Sequence, residues 1–400
     1  MCGAWAKKAF SPLCLSVEKP QAVEKKHLAL VGAALTVVLG VWLRYLPEQG
    51  MQYLQALDPY FIYSMSQHLV FEGQLPVTDF TRYFPYNYPA YKAQVGDIAI
   101  PALMYLAGPQ FFMPFLEWAQ LYPVVMAGFA IFAMFLLGRE YAGNVGGVSA
   151  AFFVATIAGS MQRTSAGFFE KEPTAIPFMI LSVFTFARAW RNEDWRFGLA
   201  SGLCLGVSTI SWGGSKFLWL LFPLAVAPVV IIDRDIQGIL RAYTPAILVG
   251  GVMGAVVDPG RFSLASDLFV ANLLGVLFVW SRYLVEYYEI LPERRLSYYA
   301  PVSALTGLVL ALLSPLYSDF VENVFFGLLS KVLDTTGGTI SGTVAENQAA
   351  SLDQFARQLS ASGAGSAASL LPGSVPGAGS LLTIFGSIAG PLPLAYISIV

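Results

Sequence analysis

The sequence predicts an all-α polytopic membrane protein with about ten spans and long external loops. Hydrophobic residues make up 56% of its 400 residues and charged residues only 12%, and the mean hydropathy is +0.62. Apolar blocks of 15 to 21 residues recur along nearly the whole chain. Helices of about 20 residues cross the roughly 30 Å of hydrocarbon with every backbone group hydrogen-bonded. A soluble protein would need several helices that are apolar on all sides, which is disfavoured.

The chain begins with a basic tail, residues 1–27, that precedes the first apolar block. The tail carries five lysines, and no small-residue cleavage site follows it. We therefore expect an uncleaved first span with the tail in the cytoplasm. Apolar length and the short polar links between blocks define the other spans. The predicted spans are 28–46, 118–138, 143–160, 174–190, 196–212, 216–232, 243–257, 268–284, 299–316 and 380–400.

Two long segments, 47–117 and 317–379, interrupt the spans. Within the first, residues 98–116 are apolar enough to cross the membrane but contain three prolines, which are unfavourable inside a helix. The distribution of Lys and Arg favours a topology in which 98–116 does not cross, because the short polar links then share a side with the basic tail. Both long segments are external in this topology, so acidic residues that are distant in sequence can meet at one membrane surface.

Charge and metal-ligand composition disfavour several classes of protein. The net charge of −2 gives no indication of nucleic-acid binding. The three cysteines and two histidines are too few and too scattered for a disulfide framework or a His/Cys metal site. A metal in this chain would therefore need carboxylate oxygens, which favours Mg²⁺ or Mn²⁺ over Zn²⁺.

The first acidic motif lies in the stretch RTSAGFFEKEP, where Glu170 and Glu172 precede a predicted span. Pro173 biases the residue before it to extended backbone, and alternate residues of an extended segment point the same way. We therefore expect the two carboxylates to face one side, with Lys171 opposite, beside the positive end of the next helix. Such a pair could hold a hard divalent cation; the alternative is an interfacial loop with solvated charges.

Arg163 and Asp58 are the next candidates. Arg163 lies seven residues before Glu170, where it either snorkels to the interface or braces the acidic pair. Asp58 follows the first span and precedes Pro59 and an aromatic, periodic run. This pattern predicts that Asp58 caps an amphipathic helix with Pro59 at its first position, and a capping carboxylate can also offer an oxygen to a cation.

A third acidic motif, the string TVAE in the second long segment, ends in Glu346. Taken alone, it is typical of a solvated loop residue.

Three motifs together resemble the catalytic subunit of N-oligosaccharyltransferases, the archaeal type most closely. The string LDPYFIY, which contains Asp58, resembles the family's first external loop. The pattern R-x6-E-K-E, which begins at Arg163, resembles its second acidic loop with the preceding arginine, and TVAE resembles a motif of its fifth external loop. The string ISWGG at 210–214 is also similar to the family. The resemblance covers residues 28 to about 355 and implies a GT-C-like multi-span fold.

The sequence also departs from the family pattern. The acidic pair, usually Asp-x-Asp, is here two glutamates, whose side chains are longer by one methylene. The family's C-terminal soluble domain with its WWDYG motif, and its span arginine that binds the lipid diphosphate, are not found in these 400 residues. We therefore expect a fragment in which residues 28–316 form the transmembrane catalytic region, residues 317–379 form the external loop with TVAE, and residues 380–400 form the last span.

The resemblance implies protein N-glycosylation by a metal-dependent glycosyltransferase. Such an enzyme moves a glycan from a dolichyl phosphate or diphosphate carrier to Asn in Asn-x-Ser/Thr. By this resemblance Asp58, Glu346 and Arg163 are catalytic, and Thr343 and Val344 contact the acceptor. The implied ligands of Mn²⁺ or Mg²⁺ are Asp58, Glu170, Glu172 and Glu346.

The implied partners are a lipid-linked oligosaccharide, an acceptor polypeptide and the membrane, with no nucleic acid. The implied location is the plasma membrane with the active site outside; the alternative is the endoplasmic reticulum. Two other functions stay open, namely another lipid-linked-sugar transferase with an O-mannosyl or lipid acceptor, and a transporter with an external cation site. A transporter predicts ionisable residues deep within spans, whereas here the charges collect at span ends.

Overall fold

The structure, a computed structural model, describes residues 22–46, 50–80, 85, 88–89, 95–232 and 236–288. All of these except residues 157–162 belong to one compact unit. The predicted spans 299–316 and 380–400, and with them Thr343, Val344 and Glu346, lie outside the described residues. The helices, numbered in chain order, are α1 (Ala22–Tyr45), α2 (Asp58–Glu72), α3 (Val95–Ala107), α4 (Phe115–Thr156), α5 (Ala158–Thr164), α6 (Lys171–Asn192), α7 (Trp195–Ser211), α8 (Lys216–Ile232), α9 (Gln237–Val257) and α10 (Asp267–Tyr287). A short antiparallel pair, β1 (Thr78–Asp79) and β2 (Tyr88–Pro89), lies between α2 and α3.

The predicted spans up to residue 284 all coincide with helical structure. In the described part of the chain, five helices are long and apolar enough to cross a membrane, namely those that contain His27–Tyr45, Phe115–Thr156, Lys171–Asn192, Gly213–Val230 and Gln237–Val257. The helix α7 is a little shorter at 17 residues, and α10 contains a shorter apolar stretch, Leu268–Leu284. The prediction of an all-α polytopic membrane protein is therefore confirmed.

The long helix α4 is a helical hairpin. Its backbone leaves the helical region at Gly143, where φ is 69° and ψ is −165°. Glycine tolerates this left-handed φ without the steric cost of a Cβ atom. The chain reverses there, so that Gly147 of the second arm lies against Phe135 of the first. The predicted spans 118–138 and 143–160 correspond to these two arms.

The first span, α1, packs against both arms of this hairpin. Gly40 contacts Ile131 of the first arm and Ala155 of the second, and Gly32 approaches Val148 of the second arm. Glycines at such positions allow two helix backbones to approach closely in a membrane. The C-terminal ends of α1 and of the second arm therefore lie together on one face of the unit.

The helices α6 to α10 form a second bundle around the close crossing of α7 and α9. Gly198, Gly202 and Gly206 recur every fourth residue of α7 and face α9. A Cβ atom at Gly202 would lie 2.7 Å from Val249, and one at Gly206 would lie 2.6 Å from Met253. Larger residues at these positions would force the helices apart. The apolar core of this bundle includes Trp219, Phe222, Tyr243, Ile247, Phe269 and Val279.

The short polar links between spans gather on one face of the unit. Glu140, at the turn of the α4 hairpin, pairs with Arg188 at 2.9 Å and with Arg191 at 3.5 Å. Arg241 of α9 lies 3.9 Å from Glu193 in the link between α6 and α7. The sequence predicted that these links share one side, and in the described part of the chain three of them do.

The first long segment lies at the opposite face. Its helices α2 and α3 pack on the beginning of α4 through a buried apolar cluster. The helix α3 has 13 residues, a length of about 20 Å, which is shorter than the roughly 30 Å of hydrocarbon. This length supports the topology in which residues 98–116 do not cross. The members of the cluster include Leu54, Ile62, Met65, Ile98, Tyr105, Phe115, Trp118, Tyr122 and Phe169.

Candidate active site

Asp58 begins α2 on the face that also carries the C-terminal end of α1. Pro59 lies in the first turn of α2, at its second position rather than at the predicted first one. The predicted capping role of Asp58 is wrong, because the N-cap is Leu57 and Asp58 is already a helical residue. Its side chain is exposed, so the carboxylate is accessible to a ligand on that face.

Glu170 and Glu172 lie at the N-terminus of α6. Glu170 is the N-cap, with extended backbone at φ −124° and ψ 175°, and Glu172 lies in the first helical turn. The prediction that extended backbone continues to Glu172 is wrong, because α6 begins at Lys171, two residues before Pro173. Lys171 also does not point away from the pair, because its ammonium lies 3.8 Å from Oε2 of Glu170.

The Glu170 carboxylate is buried among other charges, with 6% of the residue exposed. Burial, followed by the negative charges of Glu172 and Asp58, raises the pKa of Glu170 from 4.5 to about 7, against the opposing effect of Lys171. The carboxylates of Asp58 and Glu172, which come from two different connections between spans, therefore both act on Glu170. The predicted meeting of Asp58, Glu170, Glu172 and Glu346 around one ion stays a prediction.

Two buried carboxylate oxygens of this cluster, Oε2 of Glu170 and Oε2 of Glu172, have no hydrogen-bond partner within the described ranges. Leaving such an oxygen unpaired in a buried place is unfavourable. A hard divalent cation takes carboxylate oxygens as ligands, so the pair fits part of a cation site. Among the described residues, no three His, Cys, Asp or Glu side chains come together closely enough to hold an ion. The remaining predicted ligand, Glu346, lies outside them.

Arg163 lies beside the acidic pair. Its guanidinium is 3.9 Å from Oε1 of Glu172 and 5.5 Å from the centroid of the Phe168 ring. This position agrees with the interpretation in which Arg163 braces the acidic residues. A direct role of Arg163 in catalysis stays a prediction.

The loops that carry Asp58 and Glu170 are joined by hydrogen bonds that we call the clasp, formed by Arg44, Gln55, Gln120, Ala166 and Gly167. The backbone N–H of Gln55 donates to the Gly167 carbonyl at 2.9 Å, and its side-chain amide donates to the Ala166 carbonyl at 2.9 Å. The N–H of Ala166 donates to the Arg44 carbonyl, and that of Gly167 to the Gln120 carbonyl. The clasp thus holds the connection before Asp58 against the loop before Glu170.

Gly167 is the most constrained position of the clasp, and we expect Gly167→Ala to loosen the site. Its φ is +80°, and a Cβ atom would lie 2.5 Å from the Met51 sulfur. Backbone strain and overpacking together are expected to lower the free energy of unfolding by about 2–4 kcal/mol. Thermal unfolding of the purified protein measures the loss, and a transfer assay measures the accompanying loss of activity.

Gly50→Ala is the matched control for this change. Gly50 also has a positive φ, +90°, but a Cβ atom there would meet nothing within 4 Å. Backbone strain alone is expected to cost about 1–2 kcal/mol. If the two variants unfold at the same temperature, the contact between Gly167 and Met51 does not constrain the clasp.

Asp97, in the first turn of α3, is an acidic residue of this region that the sequence analysis missed. It is 5% exposed, and its Oδ1 is buried with no hydrogen-bond partner in the described part of the chain. Burial raises the pKa of Asp97 well above its ordinary value, against the opposing charges of Lys171 and Arg261, and Glu170 adds to the increase. In the sequence, Asp97 is a carboxylate directly before an apolar run, which is a sign of a possible site. The apolar segment considered in the sequence analysis began at residue 98 and therefore left Asp97 out.

Comparison with known proteins identifies similar sequences and folds. Residues 27–335 match the family model described as oligosaccharyl transferase STT3, N-terminal. The dolichyl-diphosphooligosaccharide–protein glycosyltransferase subunit STT3A of Oryza sativa subsp. japonica is 25% identical over 237 residues, which are 56% of this chain and 30% of the relative. The dolichyl-phosphooligosaccharide-protein glycotransferase 1 of Pyrococcus furiosus is 24% identical over 243 residues, which are 56% of this chain and 24% of that relative.

A solved structure shares the fold. It is the archaeal oligosaccharyltransferase AglB from Archaeoglobus fulgidus in complex with an inhibitory peptide and a dolichol-phosphate. The TM-score is 0.65 and the sequence identity 18%, over 81% of this chain and 41% of that chain. The present chain thus spans less than half of the length of each of these proteins.

Proposed function

Because the chain belongs to the oligosaccharyl transferase STT3 family, we propose that it forms the membrane part of an enzyme of protein N-glycosylation. The enzyme transfers a glycan from a dolichyl phosphate or diphosphate carrier to the side-chain amide of Asn in Asn-x-Ser/Thr. The observation that carries the proposal is that the clasp holds the connection before Asp58 against the loop before Glu170, on the face opposite the Arg-rich links. The names of the similar proteins support this class of reaction.

The acceptor amide needs activation, because its nitrogen lone pair is delocalised into the carbonyl group. Asp58 is exposed, and an ionised carboxylate only accepts hydrogen bonds. We therefore propose that Asp58 accepts a hydrogen bond from one N–H of the acceptor amide, and that Glu346 accepts a hydrogen bond from the other. Holding both N–H bonds in fixed directions orients the nitrogen toward the sugar and reduces its conjugation. In this proposal Thr343 and Val344 contact the residues next to the acceptor Asn.

The proposed cation, Mn²⁺ or Mg²⁺, is held by Glu170 and Glu172 together with Asp58 and Glu346. A bound ion of this kind stabilises negative charge on the departing phosphate. Within this chain, the two glutamates supply buried oxygens that have no hydrogen-bond partner among the described residues. Arg163, 3.9 Å from Glu172, keeps that carboxylate oriented by a charge-assisted contact.

The proposed location is the plasma membrane, with the acidic face outside. Arg188, Arg191 and Arg241 lie on the opposite face, and basic residues favour the cytoplasmic side of a membrane. In a eukaryotic cell the same orientation would direct the acidic face into the lumen of the endoplasmic reticulum, which is the alternative. The archaeal relative supports the first location, and the rice relative supports the second.

A transfer assay with removal of metal tests the proposal. Membranes that contain the protein are mixed with a lipid-linked oligosaccharide and a fluorescent peptide that contains Asn-x-Thr, and the product is identified by its mass. We expect a glycosylated peptide, loss of at least about 99% of the rate with EDTA, and recovery with Mn²⁺, since metal-held charge is worth several kcal/mol in the transition state.

A peptide with Gln in place of Asn is the control and should stay unmodified. A product on Ser or Thr of that control peptide would replace the proposed function with that of an O-glycosyltransferase. Transfer at full rate in EDTA would remove the cation from the proposal while leaving the reaction class intact.

A further inference from the structure

The helix α8 contains two prolines inside its length, Pro223 and Pro228. A proline has no backbone N–H, so the carbonyl four residues before it receives no hydrogen bond from that position of the helix. The carbonyls affected in α8 are those of Trp219 and Leu224. Such a gap in a membrane-spanning helix is unfavourable unless a neighbouring group fills it, because lipid tails offer no hydrogen bonds.

A side chain of α10 pairs with the Trp219 carbonyl. The Nδ2 atom of Asn272 donates to it at 2.7 Å and also donates to the Leu268 carbonyl of its own helix at 2.8 Å. Asn272 and Trp219 are almost completely buried, with 0% and 1% of the residue exposed. Both N–H bonds of the Asn272 amide are therefore used, and one of them replaces the N–H that Pro223 lacks.

The same amide is also held by α9. The Tyr243 hydroxyl donates to Oδ1 of Asn272 at 2.9 Å, and a Cβ atom at Gly275 would lie 2.6 Å from that hydroxyl, so the glycine makes room for it. The Trp219 ring is fixed as well, since its Nε1 atom donates to Oγ1 of Thr209 in α7 at 2.9 Å. One buried network thus joins four helices, α7 to α10, around the Trp219 carbonyl.

We propose that Pro223 is a hinge in α8 and that the hydrogen bond from Asn272 to the Trp219 carbonyl locks it. A proline inside a helix is a usual place for a kink. With the lock closed, residues 216–222 are fixed to α10. With the lock open, this segment separates from α10 while the remainder of α8 keeps its place.

The segment controlled by this lock borders the face that carries the first long segment of the chain. It follows the string ISWGG directly, and the end of α7 in that string packs on α3, where a Cβ atom at Gly96 would lie 2.4 Å from Oγ of Ser211. The lock therefore decides whether this end of α8 is rigid. The inference rests on contacts within the bundle and is independent of the proposed function.

Hydrogen–deuterium exchange of the protein in lipid nanodiscs, measured by mass spectrometry, tests the lock. Asn272→Leu keeps the approximate volume of the side chain and removes its donors. Peptides that cover residues 216–222 are then expected to exchange at least about fivefold faster. Adding Pro223→Ala supplies an N–H for the Trp219 carbonyl, and the exchange is expected to return to within about twofold of that of the unaltered protein. The Tyr243 hydroxyl loses its acceptor in both variants, so their comparison isolates the Trp219 carbonyl.

Pro228→Ala is the matched control, because Pro228 lies in the same helix and none of the hydrogen bonds of the network involves it. Combined with Asn272→Leu, it should leave the fast exchange of residues 216–222 unchanged within about twofold. Equal acceleration by Asn272→Leu with and without Pro223→Ala would mean that Asn272 acts through packing, and would overturn the proposal. Unchanged exchange in Asn272→Leu alone would also overturn it.

A second measurement applies if Asn272→Leu alone does not fold. The yield of folded protein in the membrane then replaces the exchange rate. Recovery of folded protein when Pro223→Ala is added supports the lock, because the two positions share the Trp219 carbonyl. If Pro223→Ala folds alone but does not recover Asn272→Leu, the lock does not exist. Glycan transfer enters neither measurement, so a failure of the proposed function leaves the result unaffected.

Discussion

Replacing Glu170 with Gln is expected to lower glycan transfer at limiting Mn²⁺ by at least about 100-fold, since loss of a residue that merely supports a ligand already costs roughly 10- to 100-fold. Glutamine keeps the shape of the side chain and removes its charge. It also removes one of the two buried oxygens that have no hydrogen-bond partner in the described ranges. Transfer rates measured across a Mn²⁺ titration give the size of the loss.

Stability should respond in the opposite direction to activity. Burial and the charges of Glu172 and Asp58 raise the pKa of Glu170 to about 7. A carboxyl group whose folded-state pKa is raised opposes folding at any pH where it is ionised, and this effect is absent below its unfolded-state pKa. At pH 8 without metal, Glu170→Gln is therefore expected to melt at the same temperature as the unaltered protein or higher. Functional sites often contain residues that are needed for activity but lower the stability of the fold.

Glu117→Gln is the control for this prediction. Glu117 is an exposed carboxylate in the first turn of α4, and its loss should change the transfer rate by less than about twofold. If Glu170→Gln retains the normal rate at limiting Mn²⁺, Glu170 is not a ligand. If it melts at a much lower temperature instead, Glu170 has a structural role in the α6 N-terminus.

The convergence of Asp58 and Glu170 could be predicted because it depends mainly on counting spans. Apolar length reveals each crossing, and the side on which a loop emerges follows from the number of crossings before it. The interpretation of 98–116 as a segment that does not cross was the one uncertain step. The 13-residue length of α3 supports it, and the sidedness of the acidic loops follows directly.

The local geometry of the site could not be predicted in the same way. The clasp consists mainly of backbone hydrogen bonds, and two of them, such as the bond between Gln55 and Gly167, join residues more than 100 positions apart. Because every residue has the same backbone carbonyl group and nearly every residue the same N–H group, the sequence does not indicate which of them will pair. Ala56 adopts a left-handed φ of 63°, which is uncommon for a non-glycine residue and gives no sequence pattern. The rule for the residue before proline predicted extended backbone at Glu172, but the first turn of a helix tolerates Pro173, and α6 begins earlier.

Asp97 and Lys171 illustrate the same limit for electrostatics. Lys171 was assigned to the far side of the acidic pair on the basis of an extended backbone, and the early start of α6 turns it toward Glu170. Asp97 joins the site through the packing of α3 on α7 and α9 at Gly96 and Val95. Contacts between helices decide both positions, whereas sequence spacing describes only one helix at a time.

Arg44 is the residue whose loss should most damage the fold around the site. It lies in the last turn of α1 and is 1% exposed. Its guanidinium donates to the carbonyl of Ala155 at 2.8 Å and to that of Val154 at 3.0 Å, at the end of the second arm of α4. Carbonyls in the last turn of a helix have no partner within the helix, so Arg44 caps this arm. It also donates to Thr164 at 2.6 Å, beside the clasp.

Arg44→Met is expected to lower the free energy of unfolding by about 3 kcal/mol or more, because each buried carbonyl left without a donor costs roughly 1–3 kcal/mol. Methionine fills a similar volume, so the loss reports the hydrogen bonds more than a cavity. Activity should fall with stability, since the clasp depends on the Arg44 carbonyl remaining next to Ala166. Thermal unfolding in detergent and the transfer assay measure the two effects on the same preparation.

Two further variants separate capping from simple loss of charge. Arg44→Lys keeps the positive charge but cannot donate to several acceptors in fixed directions, so its melting temperature should lie between those of the unaltered protein and Arg44→Met. Thr164→Val removes a single acceptor and should cost about 1 kcal/mol. If Arg44→Lys is as stable as the unaltered protein, a positive charge alone is sufficient for stability at this position. In that case the several hydrogen bonds from Arg44 to the α4 carbonyls do not hold the two loops of the site together.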